Sequence, residues 1–211
     1  IQFFYFIFNS RNLVMYFIYL LFYCVCFYFT LRNLFSKNKY GLTFADGSIQ
    51  HFTYKQWGKI NKIMEDSVCI SIVTHPQHRM VSSFYFLGYD KHCNFLEFLQ
   101  KIQDGSLLSE IPFVGFRGII KQHLISMYDC LEDKNGGNKM DFIFKRESLD
   151  NDWKEFCAKY LLEHNTLKYI NKTKSIKDWK DLYKIYPEAT QLVYELYKKD
   201  FEHFGYKIIA L

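Results

Sequence analysis

Ser67 to Phe84 reads SVCISIVTHPQHRMVSSF. Ser67 to Val73 is a short apolar run rich in β-branched side chains, the pattern of a buried strand. Pro76 ends it, because proline cannot donate to a strand ladder. Arg79 to Leu87 continues as a helix. A strand that turns tightly into a helix leaves backbone N–H groups at the helix start without partners, and such groups attract phosphate. Ser82 and Ser83 would add hydroxyl donors there, and Arg79 a cation. The plainer alternative makes Arg79 a surface residue and has both serines only pack.

Downstream, Asn94 with Glu97 three residues later predicts a helix start, the helix reaching about Ile102. Ile119 to Tyr128 predicts another, with His123 on a helix face or in the core. Gly136 and Gly137 mark a turn before Met140 to Phe144, a second buried strand. Asp150 or Asn151 would cap a helix running to about Glu163. Pro187 opens a last helix, in which Ala189, Leu192, Val193, Leu196, Phe201 and Phe204 recur at helical spacing and which Gly205 ends. Trp153, Trp179 and the Tyr197/Phe201/Phe204 stripe read as core, and His203 as surface. Strands alternating with helices predict an α/β fold, with a partial parallel sheet of P-loop-like type flanked by helices.

Composition narrows the function classes. The chain has 211 residues, 49% of them hydrophobic, enough for one domain with a sizeable core. A net charge of +5 is too mild to argue for a nucleic-acid partner. The six cysteines contain no CxxC pair, so a zinc site is not expected. Aromatic residues make up 20%, with a disproportionate share in the first thirty positions.

Leu13 to Leu31 carries no charge over nineteen residues, close to the length that spans a bilayer core. Arg11 precedes it; Arg32, Lys37 and Lys39 follow. Residues 1–32 therefore form a hydrophobic N-terminal segment ahead of a domain at 33–211. Two readings stand for it. One is a transmembrane helix; the other is a mistranslated region upstream of an AT-rich gene, which would yield the same Phe/Tyr/Ile/Asn vocabulary. The first residue is Ile rather than Met, so motifs upstream are expected to lie outside this sequence.

Three blocks carry a family resemblance. Thr74-His75-Pro76-Gln77-His78-Arg79-Met80-Val81-Ser82-Ser83-Phe84 is similar to the 3′-phosphate-binding motif Arg-Asp/Asn-Pro-x-x-Arg-Leu/Phe-Val/Ile-Ser. The strand Asp141-Phe142-Ile143-Phe144 with Glu147, Leu149, Asp152 and Trp153 resembles a strand followed by Glu-x-Leu-x-x-Asp-Trp. Tyr197-Lys198-Lys199-Asp200-Phe201-Glu202-His203-Phe204-Gly205-Tyr206 resembles a closing Tyr-x-x-Asp-Phe-x-x-Phe-Gly-Tyr. In this order and spacing, over roughly Lys39 to Tyr206, they resemble the membrane-bound carbohydrate sulfotransferases. The Phe84-Tyr85-Phe86-Leu87 continuation is similar to the uronyl 2-O-sulfotransferase branch.

The resemblance implies a single-pass Golgi membrane enzyme, attached to the membrane through its N-terminal segment. Such an enzyme moves a sulfuryl group from 3′-phosphoadenosine-5′-phosphosulfate to a glycan hydroxyl, with glycosaminoglycans the acceptor class of the 2-O branch. In-line transfer of this kind requires no metal. Thr74, Arg79 and Ser82 fall at nucleotide-binding positions. Lys172 and Lys174, in the turn Asn171 to Ser175, fall near the nucleotide or the acidic glycan, although a capping turn built on Ser175 explains them equally. His75 and His78 are the candidates for a catalytic base, against the commoner reading of a solvated turn histidine. Glu147 fits a structural carboxylate better than a catalytic one.

Departures from the pattern set a second function class beside the first. The Lys/Gly/Thr-rich loop that cradles the 5′-phosphosulfate has no counterpart before the motif. Lys39-Tyr40-Gly41-Leu42-Thr43 resembles instead a His-Gly-His segment of the 2-O branch, with Tyr40 and Leu42 at its histidines, so a proton acceptor is lost there. Thr74 replaces the arginine that grips the 3′-phosphate, a loss of about 2–3 kcal/mol for a charge-assisted contact. These changes predict weak or absent transfer by this chain, and the alternative is a non-catalytic, membrane-attached binding relic of the fold. A P-loop kinase would need a Walker lysine and a magnesium carboxylate, and neither is visible.

Overall fold

The apolar run at Ser67–Val73 forms its strand with the predicted ends. Among the described residues it lies in the middle of a three-stranded sheet made of β1 (Phe6–Asn9), β2 (Ser67–Val73) and β3 (Phe142–Lys145), in that order. The computed structural model describes residues 6–9, 53–55, 67–110, 120–162, 167 and 178–211. β2 and β3 run parallel, with Ile70 opposite Phe142 and Val73 opposite Lys145. β1 pairs with β2 antiparallel, Phe6 opposite Ile70. Four residues of the hydrophobic N-terminal segment thus form a strand; the candidate membrane helix Leu13–Leu31 lies outside the described residues. Among the described residues no helix is long and apolar enough to cross a membrane.

Helices among the described residues include α1 (Pro76–Phe86), α2 (Phe95–Gln103), α3 (Ser106–Ser109), α4 (Met127–Leu131), α5 (Leu149–Lys159), α6 (Lys180–Ile185), α7 (Glu188–Leu196) and α8 (Lys198–Phe204). The Asn94 cap forms as predicted, its Oδ1 accepting the Glu97 N–H at 2.9 Å. Pro76 not only ends the strand but opens α1, where its missing N–H costs nothing and its fixed φ suits a helix. Three predicted helices differ in their bounds. Residues 120–124 are helical, but the helix does not run on to Tyr128: Ser126 Oγ accepts the Asp129 N–H at 3.0 Å and starts α4 afresh. α5 begins after Ser148 rather than after Asp150 or Asn151, and stops at Lys159 instead of about Glu163. The single C-terminal helix is split at Tyr197, where φ −125° and ψ 30° leave the helical region. Gly205, at φ 65°, closes α8 as predicted.

Alternation along β2 assigns its two faces. Ile70, flanked by Val68 and Ile72, packs with Phe144 against Trp153, Phe156 and Cys157 of α5. Val73 turns to the other face, with Met127, Tyr128, Leu131 and Phe204. The largest cluster lies beyond the sheet, where Met80, Val81 and Phe84 of α1 meet Phe95, Phe98 and Leu99 of α2, with Tyr183, Ala189, Val193 and Phe201 from the C-terminal helices. At about 1.5–3 kcal/mol per fully buried large apolar side chain, this cluster anchors α1 and so holds the Thr74–Gln77 turn at the carboxyl ends of β2 and β3.

Candidate functional site

In open α/β sheets ligands bind outside the carboxyl ends of the strands, and here that edge is where β2 turns into α1. Glu147, just past β3, organises it. Its Oε1 accepts the Thr74 hydroxyl at 2.9 Å and the His75 N–H at 2.7 Å, and its Oε2 accepts the Tyr206 hydroxyl at 2.9 Å. Partial burial pushes the Glu147 carboxyl up, but these donors outweigh it and hold the group below the usual carboxylate range. Burial, and then this carboxylate, push the Tyr206 phenol up. Glu147 is therefore a structural carboxylate, as its place after a strand suggested, and it ties the first, second and third sequence blocks together.

His75 is not a solvated turn residue. It is 8% exposed and caps α1, its Nδ1 accepting the Gln77 N–H at 3.3 Å while Nε2 donates to the Lys207 carbonyl at 2.9 Å. With both ring nitrogens engaged and burial holding its pKa below the ordinary value, it stays neutral and has no lone pair left for a substrate proton. His78, one turn on, is half-buried and stacks on Trp179 at 5.6 Å between centroids. The same indole lies 5.7 Å from His75. Arg146 Nη1 sits 3.1 Å from both nitrogens of the His78 ring. Burial, and then this guanidinium, push His78 down to about 4, so at neutral pH it is an uncharged acceptor. Of the two candidate bases, His78 alone keeps partial access to solvent.

Of the expected nucleotide-binding residues, Thr74, Arg79 and Ser82 are all buried. Thr74 is 1% exposed, with its hydroxyl turned to Glu147. Arg79 is neither a surface residue nor a cation at the turn. It is 1% exposed, donates to the carbonyls of His123 and Ile125, and lies 3.7 Å from Asp200 and 5.3 Å over the Tyr197 ring. Position four of a helix that opens at Pro76 points inward here, because Met80 and Phe84 lie on the same apolar side. Ser82, on α1, is 9% exposed. Lys172, Lys174 and the Asn171–Ser175 turn lie outside the described residues, as do Tyr40 and Leu42.

Two residues went unassigned from the sequence. Asp200 accepts the N–H groups of Met127 at 3.0 Å and Tyr128 at 2.8 Å. A signal was present: Asp200 interrupts the apolar stripe of Tyr197, Phe201 and Phe204, and a carboxylate on a buried helix face requires partners. Gln77 exchanges two hydrogen bonds with Ile209, at 3.0 and 2.9 Å, and so lays the C-terminal tail along the start of α1. No local pattern marks that pairing. Among the described residues no group of His, Cys, Asp and Glu could hold a metal ion.

No curated protein and no solved structure was found to match the chain. Residues 10–207 match the model of the sulfotransferase family. That match contains all three sequence blocks that Glu147, Arg79 and Asp200 knit into one edge of the sheet, and the chain belongs to the sulfotransferase family.

Proposed function

We propose that this chain uses 3′-phosphoadenosine-5′-phosphosulfate as sulfuryl donor and a glycan hydroxyl as acceptor, with glycosaminoglycans, as in the uronyl 2-O branch, the first class to test. The observation that carries the reading is the convergence of the three motif blocks on Glu147, at the carboxyl ends of the parallel strands. His78, neutral and partly open, is the side chain nearest to a proton acceptor, although at about 4 it is a weak base near pH 7. Attachment to a Golgi membrane rests on the charge-free stretch Leu13–Leu31 and on the resemblance.

One observation favours the second reading, a non-catalytic binding module. The Thr74 hydroxyl and the His75 N–H, which would face a phosphate at this turn, both already serve the Glu147 carboxylate. Incubating the full chain with radiolabelled donor and a panel of glycosaminoglycans separates the two. Label incorporated into glycan, and lost in Ser82→Ala, supports transfer. Bound nucleotide without incorporation supports the module.

A further inference from the structure

We propose that Arg146 replaces the arginine missing at Thr74 and grips the 3′-phosphate of the donor nucleotide from the neighbouring strand. This rests on the donor reading above. The parallel register sets Val73 opposite Lys145, so the residues that follow the two strands, Thr74 and Arg146, leave the sheet side by side. A guanidinium lost from β2's exit is thereby offered again one strand away, about 5 Å across the sheet.

Local contacts suit that role. Arg146 is exposed, and among the described residues no carboxylate lies within ion-pair distance of it. What holds it is the His78 ring, a neutral acceptor that orients the guanidinium without cancelling its charge. The next residue, Glu147, would repel an anion, but three donors from Thr74, His75 and Tyr206 meet its charge. Asp178 also acts on His78. Beside it, Lys180 lies 5.9 Å over the ring of Trp179, the indole on which His78 stacks. A planar fork with five donors is the group best matched to a phosphate dianion, and its role would not need Thr74 to leave the interior.

The test is calorimetry on the full chain in mild detergent, with 3′-phosphoadenosine-5′-phosphate and with adenosine 5′-phosphate, which lacks the 3′-phosphate. The parent should prefer the first by about 10- to 100-fold, and Arg146→Gln should lose that preference while holding adenosine 5′-phosphate as before. Lys180→Gln should keep most of it. Should the glutamine variant melt unlike the parent, Arg146→Lys serves: it should keep charge and lose about tenfold in preference. An Arg146→Gln protein that discriminates like the parent overturns the proposal. So does a parent that binds both nucleotides equally, which leaves the donor-nucleotide reading standing. A parent that binds neither overturns that reading and this proposal together.

Discussion

Arg79 and Asp200 stand 3.7 Å apart with side-chain exposures of 1% and 0%, joining the helix that follows the central strand to the last helix of the chain. Burial pushes the Asp200 carboxyl up, while Arg79 and the N–H groups of Tyr128 and Met127 pull it back down. A buried pair of this kind gains little over an apolar pair, but removing one partner leaves an uncompensated charge. Asp200→Asn should therefore destabilise the protein by about 3–5 kcal/mol in urea unfolding. Combined with Arg79→Met, the total should fall short of the sum of the single losses by about 0.5–3 kcal/mol. Strict additivity would show that the two side chains do not sense each other.

Glu147→Gln keeps the shape of the junction but replaces a charged acceptor with a neutral amide. The Thr74 and Tyr206 hydroxyls and the His75 N–H would lose charge-assisted partners. A loss of about 1–3 kcal/mol is expected, read as the shift in urea midpoint. Tyr206→Phe alone should cost less and make a later Glu147→Gln change milder. A Glu147→Gln protein as stable as the parent would show that the junction is held by packing alone.

Acid should destabilise the fold well before general acid denaturation. His75 and His78 are held below 6.5 in the folded state, His78 at about 4, so the unfolded chain takes up protons that the folded chain refuses. Their contribution is complete above about pH 6.5 and is lost as pH falls through the folded values, for His78 toward about 4. Glu147, also depressed, acts lower: its contribution is present above its ordinary 4.5 and is lost as pH falls through its folded value. Thermal melts of the parent should fall by several degrees between pH 7 and 5, and those of His78→Gln by less. Equal slopes in the two proteins would remove His78 from the account.

Gly205 holds φ 65°, and a Cβ there would meet only Lys145 Nζ at 4.0 Å. The cost of Gly205→Ala is thus conformational rather than steric, about 1–2 kcal/mol, and Gly205→Asn should cost less. Melting temperatures of the two variants against the parent check the order. An alanine variant as stable as the parent would show that the tail after α8 can leave by another path.

Local patterns determined the strand at Ser67–Val73, the Asn94 cap, the Gly205 stop and the apolar stripes, since each depends on neighbours a few residues away. They also supplied the three motif blocks, and with them the family. The same patterns misplaced Arg79 and His75, because a charged residue or imidazole after a turn reads as surface until distant acceptors are counted. For Arg79 those are the carbonyls of His123 and Ile125 and the carboxylate of Asp200; for His75 it is the carbonyl of Lys207. At the breaks near Ser126 and Tyr197, Asp200 and the Leu124 carbonyl likewise supply partners from 73 residues away, to the Met127 N–H and the Tyr197 hydroxyl. Parallel pairing of β2 with β3 decided what no stretch of sequence contains, namely that Arg146 leaves the sheet beside Thr74. Burial and long-range pairing settle such positions, because the free energy of a buried charge depends on every group around it and not on its place in the chain.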